Sequence, residues 1–260
     1  MGMPADSSQA DAILIFGGDG TVHRHLPDLV RLKLPVLVVP CGSGNDFARA
    51  LGLRSVTHAV AAWKRFLAGS GNVQEIDLGV ITESVSNGIH YFACIAGIGL
   101  DGEVARRANK FPRWLRANGG YALCLPPALS TFNPPHAELL ASHPEQPGEF
   151  VPKLSQPIML AAFANTPVYG GGMRIAPKAD FTDGKLDVCV VGNMSKTRLL
   201  RLFPSVYSGN HLSLDGVEYF QAERLRVSTK EPIDVYADGE YVCQTPIEVS
   251  VESRALRVIV

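Results

Sequence analysis

The stretch AILIFGGDGT, residues 12–21, decides the fold class. Its five leading apolar residues show no polar alternation and read as a parallel strand buried on both faces. Gly17, Gly18 and Gly20 then permit a sharp bend, and residues 21–32 carry a loose helical pattern in which Pro27 predicts a kink or an early stop. The unit repeats at once. VLVV at 36–39 is a second buried run, PCGSGND at 40–46 a second bend, and residues 45–51 a short helix closed by Gly52. A further helix is expected at 56–67, between Ser55 as N-cap and Gly69. Strand, helix, strand, helix indicates an α/β layer with a parallel sheet.

From Asn72 onward the texture changes. Short β-branched or alternating runs at 90–95, 158–164, 186–191, 225–228, 233–237, 247–251 and 256–260 read as strands, punctuated by Gly, Pro and Asp. Helical patterns fall at about 103–118 and 196–207, and the Pro-, Glu- and Ser-rich segment 133–157 reads as a surface loop. The expected organisation is an α/β domain over residues 1–78 and a mainly antiparallel β domain over 79–260.

Composition excludes several classes. With 260 residues, 46% hydrophobic and 19% charged, the chain supports real cores and is not disordered. No apolar run approaches the ~18 to 20 residues of a membrane span, and no charged-then-apolar leader opens the sequence. A net charge of −1 argues against a dedicated nucleic-acid binder. The five cysteines, Cys41, Cys94, Cys124, Cys189 and Cys243, are scattered among apolar neighbours and read as reduced core thiols. A soluble cytoplasmic protein is expected.

Two constellations invite chemistry. Gly17, Gly18, Asp19, Gly20 and Thr21 follow a buried strand and enter a helix, where backbone N–H groups and the helix dipole favour an anion. Asp19 would repel phosphate unless it holds a cation or orients a donor; the plain alternative is a tight turn with Asp19 as a local cap. Gly42, Ser43, Gly44, Asn45 and Asp46 form a comparable bend after the second run. Two such bends at the ends of parallel strands open onto the same sheet edge, where open α/β sheets bind ligands. In the second half, the segment at 97–102 would bring Asp101 near that edge. Asp183-Gly184 reads as a hairpin turn as readily as an acid-bearing site loop, and Asp238-Gly239, from spacing alone, reads as a hairpin turn ahead of a site loop. His23 and His25, two residues apart on a helix, point different ways and do not chelate together. Trp63, Phe66 and Leu67 read as core.

GGDGT followed by PCGSGNDFARALG resembles the paired signatures of the diacylglycerol kinase catalytic domain family, which includes bacterial lipid kinases, sphingosine kinases and ceramide kinases, with NAD kinases more distant. AGIGLDGEVA, NTPVYGGGMRIAPKADFTDGKLDV and YADGEYV extend the likeness in the right order. The resemblance implies an N-terminal nucleotide-binding domain, a C-terminal β-sandwich lipid-substrate domain, and ATP and lipid meeting between them. By motif, Gly17 to Thr21 and Gly42 to Asn45 would bind ATP phosphates, and Asp46 would join a Mg²⁺-linked acidic network. Asp238 would be the general base with Glu240 beside it, and Asp183 would match a structural Mg²⁺ ligand.

The family usually carries a further βαβα portion before GGDGT, whereas about a dozen residues precede the first strand here, so the N-terminal domain reads as truncated. His23-Arg24-His25 stands where relatives usually have Asn or Glu. The resulting expectation is an ATP- and Mg²⁺-dependent lipid kinase, a transferase of phospholipid biosynthesis that visits the membrane surface as a peripheral protein. The alternatives are a non-catalytic lipid- or nucleotide-binding relative and an NAD kinase. Oligomeric state stays open, a homodimer included.

Overall fold

The structure, a computed structural model, describes residues 2–108, 110, 120–143 and 146–260. The chain runs through β1 (Ile13–Gly17), α1 (Asp19–Leu32), β2 (Val36–Pro40), α2 (Asp46–Ala50), α3 (Val56–Leu67), β3 (Val73–Glu83), β4 (Ile89–Phe92) and β5 (Ile95–Gly99). It continues through α4 (Leu100–Ala108), α5 (Gly120–Thr131), β6 (His136–His143), β7 (Gln146–Ala164), β8 (Leu186–Gly192), α6 (Lys196–Leu202) and α7 (Ser205–Ser208). The last elements are β9 (Val217–Ala222), β10 (Arg224–Thr229), β11 (Asp234–Ala237), β12 (Glu240–Gln244) and β13 (Ile247–Ile259).

An α/β layer leads into a mainly antiparallel β-sandwich. β1 and β2 pair in parallel from Ile13–Val36 to Gly17–Pro40, and β13 joins β2 in parallel at Val258. Beyond that the strands run β13, β10, β6, β7, β5, β11, β12, and every pair is antiparallel. β7 belongs to both layers: its first half lies on β6, and its second half lies between β5 and β8. The expected boundary at residues 78–79 falls inside β3, which pairs with β13 along its length.

Three cores follow from this layout. One packs α1, α2 and α3 on β1, β2 and the end of β13, with Leu26, Leu29, Val36 and Val258 fully buried. A second fills the sandwich around Phe92, Phe163, Leu225 and Val249. The third lies under α4 and α5 and holds Leu100, Leu129 and Met159. Ser55 caps α3 as expected, its side chain accepting from the His58 N–H.

Several elements differ from the sequence reading, each for a physical reason. β1 is an edge strand, so only Ile13 and Ile15 are buried, while Leu14 and Phe16 remain 37% and 67% exposed. α1 passes through Pro27 to Leu32 because burying Val22, Leu26, Leu29 and Leu32 on one face outweighs the lost hydrogen bond. The run 90–95 is split into β4 and β5 at Ala93 and Cys94. Segment 133–157 is not a loop: its residues 136–143 and 146–157 pair as antiparallel strands, and alternation in HAELLASH buries Ala137, Leu139 and Ala141. Pro152 and Pro157 are tolerated in it because that half of β7 pairs with β6 on one side only. Runs 247–251 and 256–260 are one strand with a bulge, where Arg254 takes a positive φ of 54°. The expected helix at 103–118 is seen as α4, and its second half lies outside the described residues; the one at 196–207 breaks at Pro204 into α6 and α7. β3, β9, β12 and α5 were not expected. Leu67 is 67% exposed, so it is not core, whereas Trp63 and Phe66 stack with ring centres 5.3 Å apart.

Gly79 on β3 faces Phe92 on β4, and a Cβ there would lie 2.0 Å from the ring of this fully buried residue. Gly79→Ala should therefore lower stability by about 1–3 kcal/mol through overpacking. Adding Phe92→Leu should recover part of that loss, measured by chemical denaturation of the single and double variants.

Candidate functional site

The two glycine-bearing bends sit side by side at the ends of β1 and β2. Cys41 N–H donates to the Gly17 carbonyl at 3.0 Å. Gly18 and Gly42 meet backbone to backbone: a Cβ on Gly42 would stand 2.4 Å from the Gly18 Cα, and one on Gly18 2.8 Å from the Gly42 Cα. Asn45, at a φ of 59°, holds the second bend together, accepting from Gly42 N–H at 2.8 Å and donating to the Gly42 carbonyl at 2.9 Å.

Asp19 resolves the question its position raised. Its carboxylate accepts the N–H groups of Asp46 at 3.1 Å and Phe47 at 3.0 Å, so it caps α2 across the gap between the bends. Burial pushes its pKa up, opposed by those amide bonds and reinforced by the charges of Asp46 and Asp238. Gly44 leaves room for this carboxylate, since a Cβ there would lie 2.7 Å from Asp19 Oδ2. Asp46 in turn takes Arg49 on Oδ1 at 3.0 Å and the Gly171 N–H on Oδ2 at 3.2 Å, tying the second bend to the Gly170–Gly172 turn of the second half.

Across the cleft stands the turn between β11 and β12. Asp238 and Gly239 occupy its two loop positions with φ of 50° and 84°, as a type I′ hairpin requires. The hairpin reading holds at these two residues, and Asp238 and Gly239 also line the cleft. The Asp238 side chain is 2% exposed. Its Oδ1 accepts from Cys94 N–H at 2.8 Å and Ile95 N–H at 3.3 Å, and its Oδ2 from Ala93 N–H at 2.9 Å, with His23 Nδ1 3.2 Å away. These amides are what splits the expected strand at 90–95: the backbone turns there to bind a carboxylate. Glu240, exposed, reaches over α1, where a Cβ on Gly20 would come within 2.9 Å of its Oε1.

Gly17, Gly18, Asp19, Gly20, Thr21, Gly42, Ser43, Gly44, Asp46, Asp238 and Glu240 all line one cleft of about 700 Å³. Asn45 acts through the loop it shapes. Asp183 stands apart from the cleft, bonded to Lys185 N–H and Gln221 Nε2, with its pKa raised by burial first and by Asp187 and Asp180 next. Cys41 is exposed on the cleft wall, unlike the other four cysteines, because it follows the last strand residue into the bend.

The sequence reading missed three side chains here. Arg24 and Arg49 line the cleft and give it positive charge, and His23 reaches Asp238. For His23 and Arg24 the available signal was their spacing from Gly20, three and four residues further along α1 and so on the same face; Arg49 stands on α2, three residues after Asp46. Asp101 also reaches the cleft, where burial raises its pKa against a 2.7 Å hydrogen bond from the Tyr169 hydroxyl. That pair also borders a second cavity, of about 80 Å³, walled by apolar residues including Leu100, Leu160, Met173 and Phe203. His211 lies on the wall, with its Nε2 3.0 Å from the Ile175 carbonyl and its pKa lowered by burial.

The family profile described as "Diacylglycerol kinase catalytic domain" matches residues 3–81, and that described as "YegS C-terminal NAD kinase beta sandwich-like domain" matches residues 94–260. The chain is 38% identical to a protein named diacylglycerol kinase from Mycobacterium tuberculosis over 250 residues, 96% of this chain and 76% of that one. It is 30% identical to the Bacillus subtilis protein of the same name over 241 residues, 92% of this chain and 74% of that one. A crystal structure named for a diacylglycerol kinase from Bacillus anthracis has a TM-score of 0.68 at 20% identity, covering 97% of this chain and 77% of that chain, a likeness of fold.

Gly42→Ala places its methyl group against backbone, which no side-chain rotation relieves. It should cost about 1–3 kcal/mol, while Ser43→Ala beside it should leave stability within about 0.5 kcal/mol, read from denaturation midpoints.

Proposed function

The chain belongs to the diacylglycerol kinase catalytic domain family, and on that footing we propose that it transfers the γ-phosphoryl group of ATP to the hydroxyl of diacylglycerol or a similar long-chain alcohol. The observation that carries this reading is the apposition, across one cleft, of two glycine bends at parallel strand ends and the acidic Asp238-Gly239-Glu240 turn. The bends, the N-terminus of α1, and the cations Arg24 and Arg49 supply donors and positive charge for a triphosphate. The apolar cavity that adjoins the cleft at Asp101 and Tyr169 suits the hydrocarbon part of an acceptor and favours a lipid alcohol over a dinucleotide.

Transfer requires the acceptor hydroxyl to lose its proton as its oxygen bonds to phosphorus. Asp238 is the carboxylate we assign to receive it. The cleft walls fix hydroxyl and phosphate relative to one another, which removes most of the entropic cost of the encounter. Among the described residues no three His, Cys, Asp or Glu side chains form a metal cage. Mg²⁺ entering with nucleotide needs only one or two carboxylates and keeps several waters. Asp19 and Asp46 fit that requirement, because the charge of Asp46 adds to the raised pKa of Asp19, a repulsion that a cation relieves. Such an ion would neutralise charge on the transferred group. No helix of the described residues is long and apolar enough to cross a membrane, so the lipid would be met at a bilayer surface.

Incubation with γ-labelled ATP, Mg²⁺ and diacylglycerol in mixed micelles should place label in phosphatidic acid. Label appearing in NAD instead, or no transfer and no calorimetric heat with Mg·ATP, would reject the reading. Asp238→Asn should abolish transfer. It should also lower stability by about 1–3 kcal/mol, because an amide NH₂ then faces backbone N–H donors.

A further inference from the structure

A carboxylate offers about four acceptor positions, and four donors already meet Asp238: the amides of Ala93, Cys94 and Ile95, and His23 Nδ1. A hydroxyl that is to give Asp238 its proton must displace one of them. The amides cannot leave. The Ala93 carbonyl is held by Asn165 Nδ2 at 2.9 Å, the Cys94 carbonyl by the Asn165 and Thr166 amides at 2.8 and 3.2 Å, and the Ile95 carbonyl by the Asp238 amide at 2.9 Å. His23 is the one donor on a rotatable side chain, and that side chain is 16% exposed.

We infer that His23 is a positioning residue for Asp238, clamping its Oδ2 when the imidazole is protonated and releasing it when the imidazole is neutral. The consequence for turnover rests on the lipid-kinase reading; the clamp itself does not. An imidazolium donates through Nδ1 and carries a charge opposite to the carboxylate. A neutral ring lacks that charge, and in the tautomer protonated at Nε2 it turns a lone pair on Oδ2, so the contact loosens.

The charged groups acting on His23 are Asp238 and Glu240, both from the β11–β12 hairpin. On β4, which packs against α1, His90 is engaged with Glu83 and Tyr91 with Glu252. Burial disfavours the imidazolium, but the hydrogen bond and charge of Asp238, with the charge of Glu240, outweigh it and hold the His23 pKa above the ordinary value. The clamp is therefore closed at acid pH and opens as pH rises through that elevated pKa. The stability it contributes has the same sign. It is fully present below the unfolded-state pKa and lost as pH climbs through the folded one.

The test combines NMR titration of the His23 ring, thermal unfolding and label transfer, each from about pH 5.5 to about pH 8.5. In the wild type, the ring should titrate above the ordinary histidine value, and it should fall in Asp238→Asn and, less, in Glu240→Gln. The melting-temperature advantage of wild type over His23→Ala should fade as pH rises, and kcat/KM of the wild type should drop about tenfold per pH unit on the acid side. That drop should vanish in His23→Ala, and in His23→Gln should the alanine variant fold poorly. An acid limb unchanged in both variants, a pH-independent stability loss, or a ring titration indifferent to Asp238→Asn would overturn the clamp. Should the wild type transfer no label at any pH, the kinase reading falls, while the ring titration and melting curves still judge the clamp.

Discussion

Three consecutive backbone amides, from Ala93 to Ile95, converge on the carboxylate of Asp238, and the placement of the acid side of the cleft depends on that convergence. Each amide-to-carboxylate bond is charge-assisted and stronger than a neutral one, and all three lie away from bulk water. The same junction is gripped from its carbonyl side by Asn165, a buried residue that also bonds the Asp77 carbonyl at 2.9 Å. The result is a carboxylate held at positive φ on a two-residue turn, fixed by the chain from β4 to β5 rather than by its own hairpin alone.

The opposite wall obeys a different constraint, that of absent side chains. Gly18 and Gly42 touch through their backbones, which lets two strand-end bends share a space that one side chain would fill. Asp19 uses the closeness, satisfying the first amides of α2 that would otherwise be orphaned. The acid in the first bend thus serves the donors of the second. The arrangement concentrates Asp19, Asp46 and Asp238 along one cleft, and the pKa of Asp19 is raised by its burial first and by the charges of Asp46 and Asp238 after that. Arg24 and Arg49 offset part of it from the same walls.

Much of this was legible in the sequence. The apolar run at 36–39, the glycine bends and the Asp-Gly pair each have a local cause, so the α/β start and the acidic hairpin turn could be read directly. What was not legible has non-local causes. Burial of β1 on one face only depends on its place at the sheet edge, and the passage of α1 through Pro27 depends on the strands it covers. The pairing of β6 with β7 was hidden because composition favoured a loop, while the alternation that buries Ala137, Leu139 and Ala141 pointed to a strand. Local spacing sets His23 beside His25, whereas its partner in the fold, Asp238, lies 215 residues away.

Asp77 shows why the two halves act as one frame. It is 2% exposed within β3, and its carboxylate takes the Gly184 amide on one oxygen and the Arg254 amide on the other, both at 2.8 Å. Gly184 opens the approach to β8, and Arg254 is the bulge at which β13 shifts register. Before that bulge β13 pairs with β10 in the sandwich; after it, the strand reaches β2 in the α/β layer. A single buried acid thus sits where one strand passes between the layers, and β3 runs beside that strand on both sides of the change. Because the bends hang from β1 and β2 and the acidic turn from the sandwich, the spacing across the cleft is set by continuous sheet. A linker between independent domains would let that spacing drift, whereas shared strands hold the two bends and the Asp238 carboxylate in fixed positions across the cleft.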